Sequence, residues 1–213
     1  MENPIIATTL SGLFIKSEPW KQTHTIWFED MAKKLNDPSI NEWASKSNYF
    51  EGVSMVMERL YPDLSDEQRT TKARELFFDS VYQYIQENPQ VKNQEVIDYF
   101  SSLKEKFRLA LITTNTPEVV NKILSLTGLV SFFDIVESSK PHEKDDKGIV
   151  FDRFIKVYGK PVIYIGGDKK DSFDYCAKHN ILCIFANLEG DEELNNVKTI
   201  HNLNELKGKI ENL

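Results

Sequence analysis

Apolar and polar positions change their spacing along the chain. A short apolar run, Ile5–Thr8, is followed by small polar residues and Gly12, a pattern typical of a strand buried on both faces of a sheet. From about residue 18 to 86, apolar residues recur every three or four positions, which predicts helices. One face of the first helix would carry Trp20, His24, Trp27, Met31 and Leu35. The sequence therefore predicts one strand followed by a helical block.

Two helices in the first half of the chain carry start signals or apolar stripes. Ser65 and Gln68 have the spacing of a capping box, in which each side chain bonds the other residue's backbone N–H. The helix that follows has an apolar stripe of Ala73, Leu76, Phe77, Ser80, Val81 and Tyr84. A further helix is predicted over residues 93–106. Its inward residues would be Val96, Tyr99, Phe100 and Leu103.

Strands and helices alternate after residue 107. Strands are predicted at residues 109–113, 133–136, 161–165 and 181–185. Thr116 caps a helix that has Pro117 at its first position and Gly128 just past its end. The other helices are predicted at residues 150–158, 171–179 and 203–210. This alternation predicts an α/β fold with a parallel sheet, whose ligands bind beyond the carboxyl ends of the strands.

Two domains follow from this order of elements. Residues 1–15 and 90–213 would form the α/β core, and residues 16–89 a helical insert that follows the first strand. Because the insert leaves the sheet at the carboxyl end of a strand, we expect it to lie over that edge as a lid.

Segments at two predicted strand ends resemble motifs of a known superfamily. The second strand ends in Thr113-Thr114-Asn115, and the stretch 132–141 ends in Lys140-Pro141. Both resemble haloacid dehalogenases, in the branch with a helical cap after the first motif, such as phosphoglycolate phosphatase and β-phosphoglucomutase. The resemblance implies a Rossmann-like core, in which Thr114, Asn115 and Lys140 hold a phosphoryl group. The alternatives are that Thr114 and Asn115 only cap a helix and that Lys140 is a surface lysine.

The fourth motif is damaged or displaced. Relatives end the fourth strand with Gly-Asp and place a second acid about four residues later, and this pair binds Mg²⁺. Counting from the strand puts Gly167 at the first acid and Asp171 at the second. Counting back from the following helix puts Asp168 at the first acid instead. Both alignments remain open at this point.

The first motif lacks its carboxylates. Relatives carry Asp-x-Asp-Gly-Thr after the first strand, with a nucleophile first and an acid/base second. The corresponding run here places Thr8 at the nucleophile and Leu10 at the acid/base position. A threonine needs an adjacent base to attack, and leucine transfers no protons. With only Asp168 and Asp171 as metal ligands, we expect weak Mg²⁺ binding or none, and no other cofactor.

Composition excludes several classes of partner and compartment. The formal net charge is −7 and no basic run occurs, which argues against nucleic acid and anionic membranes. Cys176 and Cys183 have neither a redox nor a zinc spacing, and we interpret both as core thiols in a reducing compartment. The N-terminus lacks the features of a signal peptide, and no apolar run spans a membrane. A cytoplasmic protein is predicted.

Two functions are consistent with this pattern. Loss of both first-motif aspartates predicts a protein without catalytic activity, which binds a small anion, a phosphorylated metabolite or a protein partner. The many aromatic residues of the helical insert fit a partner surface or self-association. The alternative is a phosphatase of a small metabolite with non-standard residues. In that case His142 would act as the base for Thr8, Thr9 or water.

Overall fold

The computed structural model describes residues 3–46, 49–143, 145–167 and 170–211. The chain divides into two compact units. The α/β unit comprises Met1–Ser17, Gln90–Ser139 and Asp145–Leu213, and the helical unit comprises Glu18–Pro89 and Lys140–Lys144. The first boundary falls two residues later than the one predicted, because the backbone N–H of Lys16 donates to the Val91 carbonyl at 2.8 Å. The segment that starts at Lys140 groups with the helical unit.

The described strands of the α/β unit form one parallel sheet, as predicted. They are β1 (Ile5–Thr8), β2 (Arg108–Thr113), β3 (Ile135–Ser138), β4 (Ile163–Gly166), β5 (Cys183–Ala186) and β6 (Lys198–Ile200). Their order across the sheet is β3-β2-β1-β4-β5-β6, and every pair is parallel. The central strand β1 is buried along its whole length, which explains its uninterrupted apolar pattern.

Several predicted strands begin later in the structure than in the sequence pattern. β3 starts at Ile135 rather than at residue 133, because Phe132 and Phe133 pack edge-to-face on Phe14 instead of extending the sheet. Asp134 then accepts a hydrogen bond from the backbone of Leu109 at 2.8 Å. β4 and β5 also start two residues later than predicted.

Nine α-helices occur within the described residues. The helical unit contains α1 (Glu18–Leu35), α2 (Ile40–Lys46), α3 (Tyr49–Leu60) and α4 (Asp66–Glu87). The α/β unit contains α5 (Gln94–Leu103), α6 (Pro117–Thr127), α7 (Lys147–Tyr158), α8 (Lys170–Lys178) and α9 (Leu203–Ile210). The capping box predicted at Ser65 is present at the start of α4. Gly128 ends α6 with a φ of 73°, as its position after the helix predicted.

The core of the helical unit includes Trp27 of the predicted face of α1, and Met31 and Leu35 of that face pack against it. Thr23, Trp27, Phe28 and Ala32 are buried, whereas Trp20, His24, Met31 and Leu35 are only partly buried. The cluster is completed by buried residues of the neighbouring helices, namely Ile40, Val53, Val56 and Met57. Within the part of the chain that is described, no helix is long and apolar enough to cross a membrane.

Candidate functional site

The order of the strands places a crevice beside β1. β2 and β3 lie on one side of β1, whereas β4, β5 and β6 lie on the other. The chain therefore continues from β1 to β2 on one side of the sheet, and from β4 to β5 on the other. In open parallel sheets such a switch point is where ligands bind. The predicted site residues should therefore lie directly after β1, β2, β3 and β4.

Thr8, which was predicted at the nucleophile position, does not face this crevice with its hydroxyl. Its Oγ1 donates to the Ala110 carbonyl at 2.9 Å, and the side chain is fully buried. The next residue, Thr9, continues the pairing with β4 by donating its backbone N–H to the Ile165 carbonyl at 3.3 Å. The hydroxyl of Thr8 is thus held on the backbone of β2, and Thr9 is the first residue past the strand.

A buried lysine contacts Thr9. Lys147, the first residue of α7, is 2% exposed, and its Nζ lies 3.2 Å from Thr9 Oγ1 and 2.9 Å from the Tyr164 hydroxyl. Its Nζ also lies 5.4 Å from the centroid of the Tyr164 ring. Tyr164 comes from β4 and Thr9 follows β1, so the lysine links both sides of the switch point.

Lys147 was not predicted as a site residue because the helix was predicted to begin at residue 150, three residues too late. Asp146 caps α7 by accepting the backbone N–H of Gly148 at 2.8 Å, which starts the helix at Lys147. The Asp146 cap was the signal available in the sequence. A lysine at the first position of a helix is usually exposed, so the sequence pattern around Lys147 gave no reason to predict it as a site residue.

These contacts favour an alignment of the first motif that starts one residue later than predicted. In relatives a lysine steadies the nucleophile carboxylate, and here the hydroxyl that receives a lysine is that of Thr9, not Thr8. Counted from Thr9, Ser11 rather than Leu10 occupies the acid/base position. Leu10 is 2% exposed and packs in the core. The loop still supplies no carboxylate at either position.

The loops after β1 and β4 touch through two glycines. A Cβ on Gly167 would lie 2.3 Å from the carbonyl carbon of Gly12, and a Cβ on Gly12 would lie 2.4 Å from the carbonyl oxygen of Gly167. Gly12 also has a φ of 72°, in the left-handed region that favours glycine. Because β4 ends at Gly166, counting from the strand places Gly167 at the first acid of the fourth motif. No side chain fits at that position.

The described residues do not fit a Mg²⁺ site. Asp168, the other residue considered for the first acid, lies outside them. Asp171 is exposed, and its Oδ1 accepts the backbone N–H of Ser172 at 3.0 Å. Among the residues described here, no three His, Cys, Asp or Glu side chains are grouped closely enough to hold a metal ion. Since Mg²⁺ is bound by carboxylates together with waters and substrate phosphates, the donor set at these strand ends is unsuited to it.

Hydroxyl and amide groups follow the other strands. Thr114 and Asn115 are both nearly buried after β2, and the Asn115 N–H donates to Thr113 Oγ1 at 3.1 Å. Ser139 follows β3, and its backbone N–H donates to the Asn115 carbonyl at 3.2 Å. Ser139 Oγ, like Ser172 Oγ in the first turn of α8, is fully buried with no hydrogen-bond partner in the described part of the chain. Buried hydroxyls normally have a partner, so these two are candidates for ligand contacts.

Lys140 and His142 lie in the segment that groups with the helical unit. Both side chains are exposed. The backbone N–H of Lys140 donates to Glu143 Oε2 at 2.9 Å, and the Lys140 carbonyl accepts a hydrogen bond from Arg74 Nη1 at 3.1 Å. The roles of Lys140 in anion binding and of His142 as a base stay predictions.

A family model described as haloacid dehalogenase-like hydrolase matches residues 21–186. The match begins after β1 and the Thr8–Gly12 loop, so the segment with the altered first motif precedes it. Comparison with curated proteins by sequence gave no match.

Solved structures share the fold at low sequence identity. A predicted phosphatase from Clostridium acetobutylicum aligns with a TM-score of 0.66 and 18% identity, covering 100% of both chains. A haloacid dehalogenase-like family hydrolase from Streptococcus pneumoniae gives a TM-score of 0.64 and 17% identity over 98% of both chains. β-Phosphoglucomutase from Clostridium difficile gives a TM-score of 0.64 and 17% identity, covering 100% of this chain and 96% of that chain.

Proposed function

The chain belongs to the haloacid dehalogenase-like hydrolase family, and from this premise we propose that it binds a small oxyanion, such as a phosphorylated metabolite, without hydrolysing it. The observation that carries the proposal is the contact between Lys147 and Thr9. In the family a lysine steadies a carboxylate nucleophile, whereas here it meets a neutral hydroxyl. The loop after β1 therefore offers this lysine a hydroxyl rather than a carboxylate.

The loss of carboxylates changes what the crevice can bind. A carboxylate repels an incoming phosphate unless a metal ion screens it, and the described loop after β1 contains no carboxylate. Lys147 brings an ammonium group, while Ser139 and Ser172 bring buried hydroxyls without partners among the described residues. Hydroxyl, amide and ammonium donors suit an oxyanion, and charge-assisted bonds are the strongest of these.

The same substitutions argue against aspartyl phosphotransfer. That reaction needs a carboxylate that attacks phosphorus and a second group that protonates the leaving oxygen. Proton transfer by a positioned side chain is worth about 10²- to 10⁴-fold in rate, and the loop Thr9–Gly12 offers no carboxylate for it. Gly167 further removes a ligand on which the family's metal ion depends.

Two measurements test the proposal together. Hydrolysis of p-nitrophenyl phosphate and a panel of phosphorylated metabolites should stay at the level of the buffer, with or without Mg²⁺. Isothermal titration of the same compounds, including inorganic phosphate, should show binding of at least one. Absence of any binding would remove the anion-binding function and leave a role in contacting a protein partner.

One contact favours a second function, hydrolysis with non-standard residues. Thr9 Oγ1 lies 3.2 Å from Lys147 Nζ, so an unprotonated amine could take the hydroxyl proton and activate Thr9. Turnover without Mg²⁺ that is lost in Thr9→Val and kept in Thr8→Val would establish it. Loss of that turnover in His142→Ala as well would assign His142 as a base.

A further inference from the structure

Tyr164 is buried in β4 and reaches the lysine of the candidate site. Its side chain is fully buried, and its hydroxyl accepts a hydrogen bond from Lys147 Nζ at 2.9 Å. The same Nζ contacts Thr9 Oγ1 at 3.2 Å. Because Thr9 follows β1 and β1 pairs with β4, the two hydroxyls meet one ammonium group from adjacent segments of the chain.

We propose that Tyr164 is a positioning residue of the anion site, which fixes the direction of the Lys147 ammonium group before an anion binds. The inference rests on the proposed function, because it gives Tyr164 a part in the same binding of an oxyanion. Tyr164 acts through Lys147, and the anion itself contacts the lysine.

The ring of Tyr164 is held in place by its neighbours. Phe151 of α7 lies edge-on to it with the ring centroids 5.1 Å apart, and Phe173 of α8 lies at 5.8 Å. All three rings belong to one buried apolar cluster. Since side chains in a close-packed core occupy defined rotamers, the Tyr164 hydroxyl is an acceptor at a fixed point.

Gly166 leaves the space that the Tyr164 ring occupies. A Cβ on residue 166 would lie 2.9 Å from the Tyr164 hydroxyl oxygen and from Cε1 of the same ring, and 3.0 Å from Phe173 Cζ. A side chain at this position would therefore displace the ring or the end of β4. The glycine that ends the strand thus allows the tyrosine to reach Lys147.

The geometry of an ammonium group converts two contacts into a direction. Lysine Nζ has three N–H donors, and when one faces Tyr164 and another faces Thr9 the direction of the third is fixed as well. A lysine without such contacts loses its rotamer freedom only when an anion binds, which lowers affinity. Tyr164 therefore moves this loss of entropy from ligand binding to folding.

The test is a double-mutant cycle on the full-length protein, with inorganic phosphate as the probe in isothermal titration. Tyr164→Phe removes the hydroxyl and keeps the ring. Because an immobilised long side chain costs affinity, we expect the Kd of phosphate to rise roughly 3- to 10-fold. In the Lys147→Met background the same exchange should change the Kd by less than about twofold, since no ammonium group remains to be positioned.

A second cycle without phosphate decides the coupling where Lys147→Met binds phosphate too weakly to measure. Tyr164→Phe should lower the urea midpoint of the native chain and leave that of Lys147→Met unchanged, because the hydroxyl acts on the lysine. If Lys147→Met fails to fold, comparison of Tyr164→Phe with the control variant still decides.

The control variant is Tyr175→Phe. Tyr175 stacks on Phe151, the ring that also meets Tyr164, but its hydroxyl donates to Asp152 Oδ1 at 2.5 Å. Its Kd for phosphate should equal that of the native chain.

The outcomes separate this role from the function on which it rests. An unchanged Kd in Tyr164→Phe, an equal rise in Tyr175→Phe, or the same loss with and without Lys147 would overturn the role of Tyr164 and leave anion binding in place. If the native chain does not bind phosphate, the role fails together with that part of the proposed function.

Discussion

Under the proposed function, individual residues at the strand ends stand where the resemblance places carboxylates. Thr9 contacts Lys147, and Gly167 lies at the position of the first acid of the fourth motif when counted from the strand. On that proposal each exchange removes negative charge from the edge of the sheet, so the local potential favours an anion over a cation.

The first residue-scale prediction concerns Lys147. Lys147→Met keeps most of the unbranched side chain and removes its charge. A hydrogen bond to a charged group contributes about 1.5–3 kcal/mol, so affinity for inorganic phosphate should fall roughly 10- to 100-fold. Isothermal titration measures this, with Lys156→Met, an exposed lysine of the same helix, as the control. Equal affinity in both variants would remove Lys147 from the site.

The second residue-scale prediction concerns the glycine contact. Gly167→Asp restores the side chain that the family motif has at this position, but its Cβ would meet the backbone of Gly12. Overpacking against movable side chains costs about 1–3 kcal/mol, and backbone yields less readily, so we expect at least about 3 kcal/mol of lost stability. Urea unfolding gives the value. In the control, Gly190→Asp, a Cβ would meet its nearest atoms, in Asn187, at an ordinary 3.7 Å.

At the scale of elements, the ends of helices and the central strand of the sheet could be predicted from the sequence. The edge strand β6 and the exact start of β3 could not. The capping box at Ser65, the Gly128 end of α6 and the buried run of β1 each have a local cause. β6 is three residues long and begins with an exposed lysine, so its pattern does not differ from that of a loop. The start of β3 depends on where Phe132 and Phe133 pack, which is a tertiary effect.

Residues of the candidate site could likewise be predicted from local signals, but not where they depend on tertiary contacts. Thr114 and Asn115 could be predicted as site residues because they follow a predictable strand and precede a predictable helix, and their role in anion binding stays a prediction. Lys147 became visible only when the contacts with Thr9 and Tyr164 were known. The choice between Gly167 and Asp168 could not be made from spacing, since it depends on where β4 ends.

A prediction at this scale concerns the start of α4. Ser65 Oγ accepts the Gln68 N–H at 3.3 Å, and Gln68 Oε1 accepts the Ser65 N–H at 2.9 Å. Ser65→Ala removes the acceptor of the Gln68 N–H, while the backbone N–H of residue 65 still reaches Gln68 Oε1, and the change should cost about 0.5–2 kcal/mol. Hydrogen exchange along α4 and urea unfolding report the loss. Ser80→Ala, an exposed position within the same helix, should change stability by no more than about 0.5 kcal/mol.

The whole molecule consists of two units with separate cores. The helical unit packs around Trp27, Phe28 and Met57, and the α/β unit packs both faces of β1. The residues assigned to anion binding come from several strand ends of the α/β unit. A ligand that bridges them would bind only the folded sheet, so ligand binding and stability are linked.

This linkage gives a prediction for the intact protein. Phosphate at about 100 times its Kd should stabilise the chain by about 2.7 kcal/mol and raise the Tm by roughly 5–10 °C. MgCl₂ should leave the Tm where NaCl of equal ionic strength leaves it. Thermal unfolding, monitored by circular dichroism, gives the Tm in each salt. A higher Tm with Mg²⁺ alone would mean that a metal site exists after all.

The contact between Gly12 and Gly167 has a consequence for how this chain can evolve. A mutation that returns an aspartate to position 167 enters a protein whose other loop already fills the space. A change that first moves the Gly12 loop away from position 167 fails too, because it stabilises nothing while that position has no side chain. Two changes must therefore arrive together before position 167 can carry a side chain. Under the proposed function, selection then acts on which anion the crevice binds.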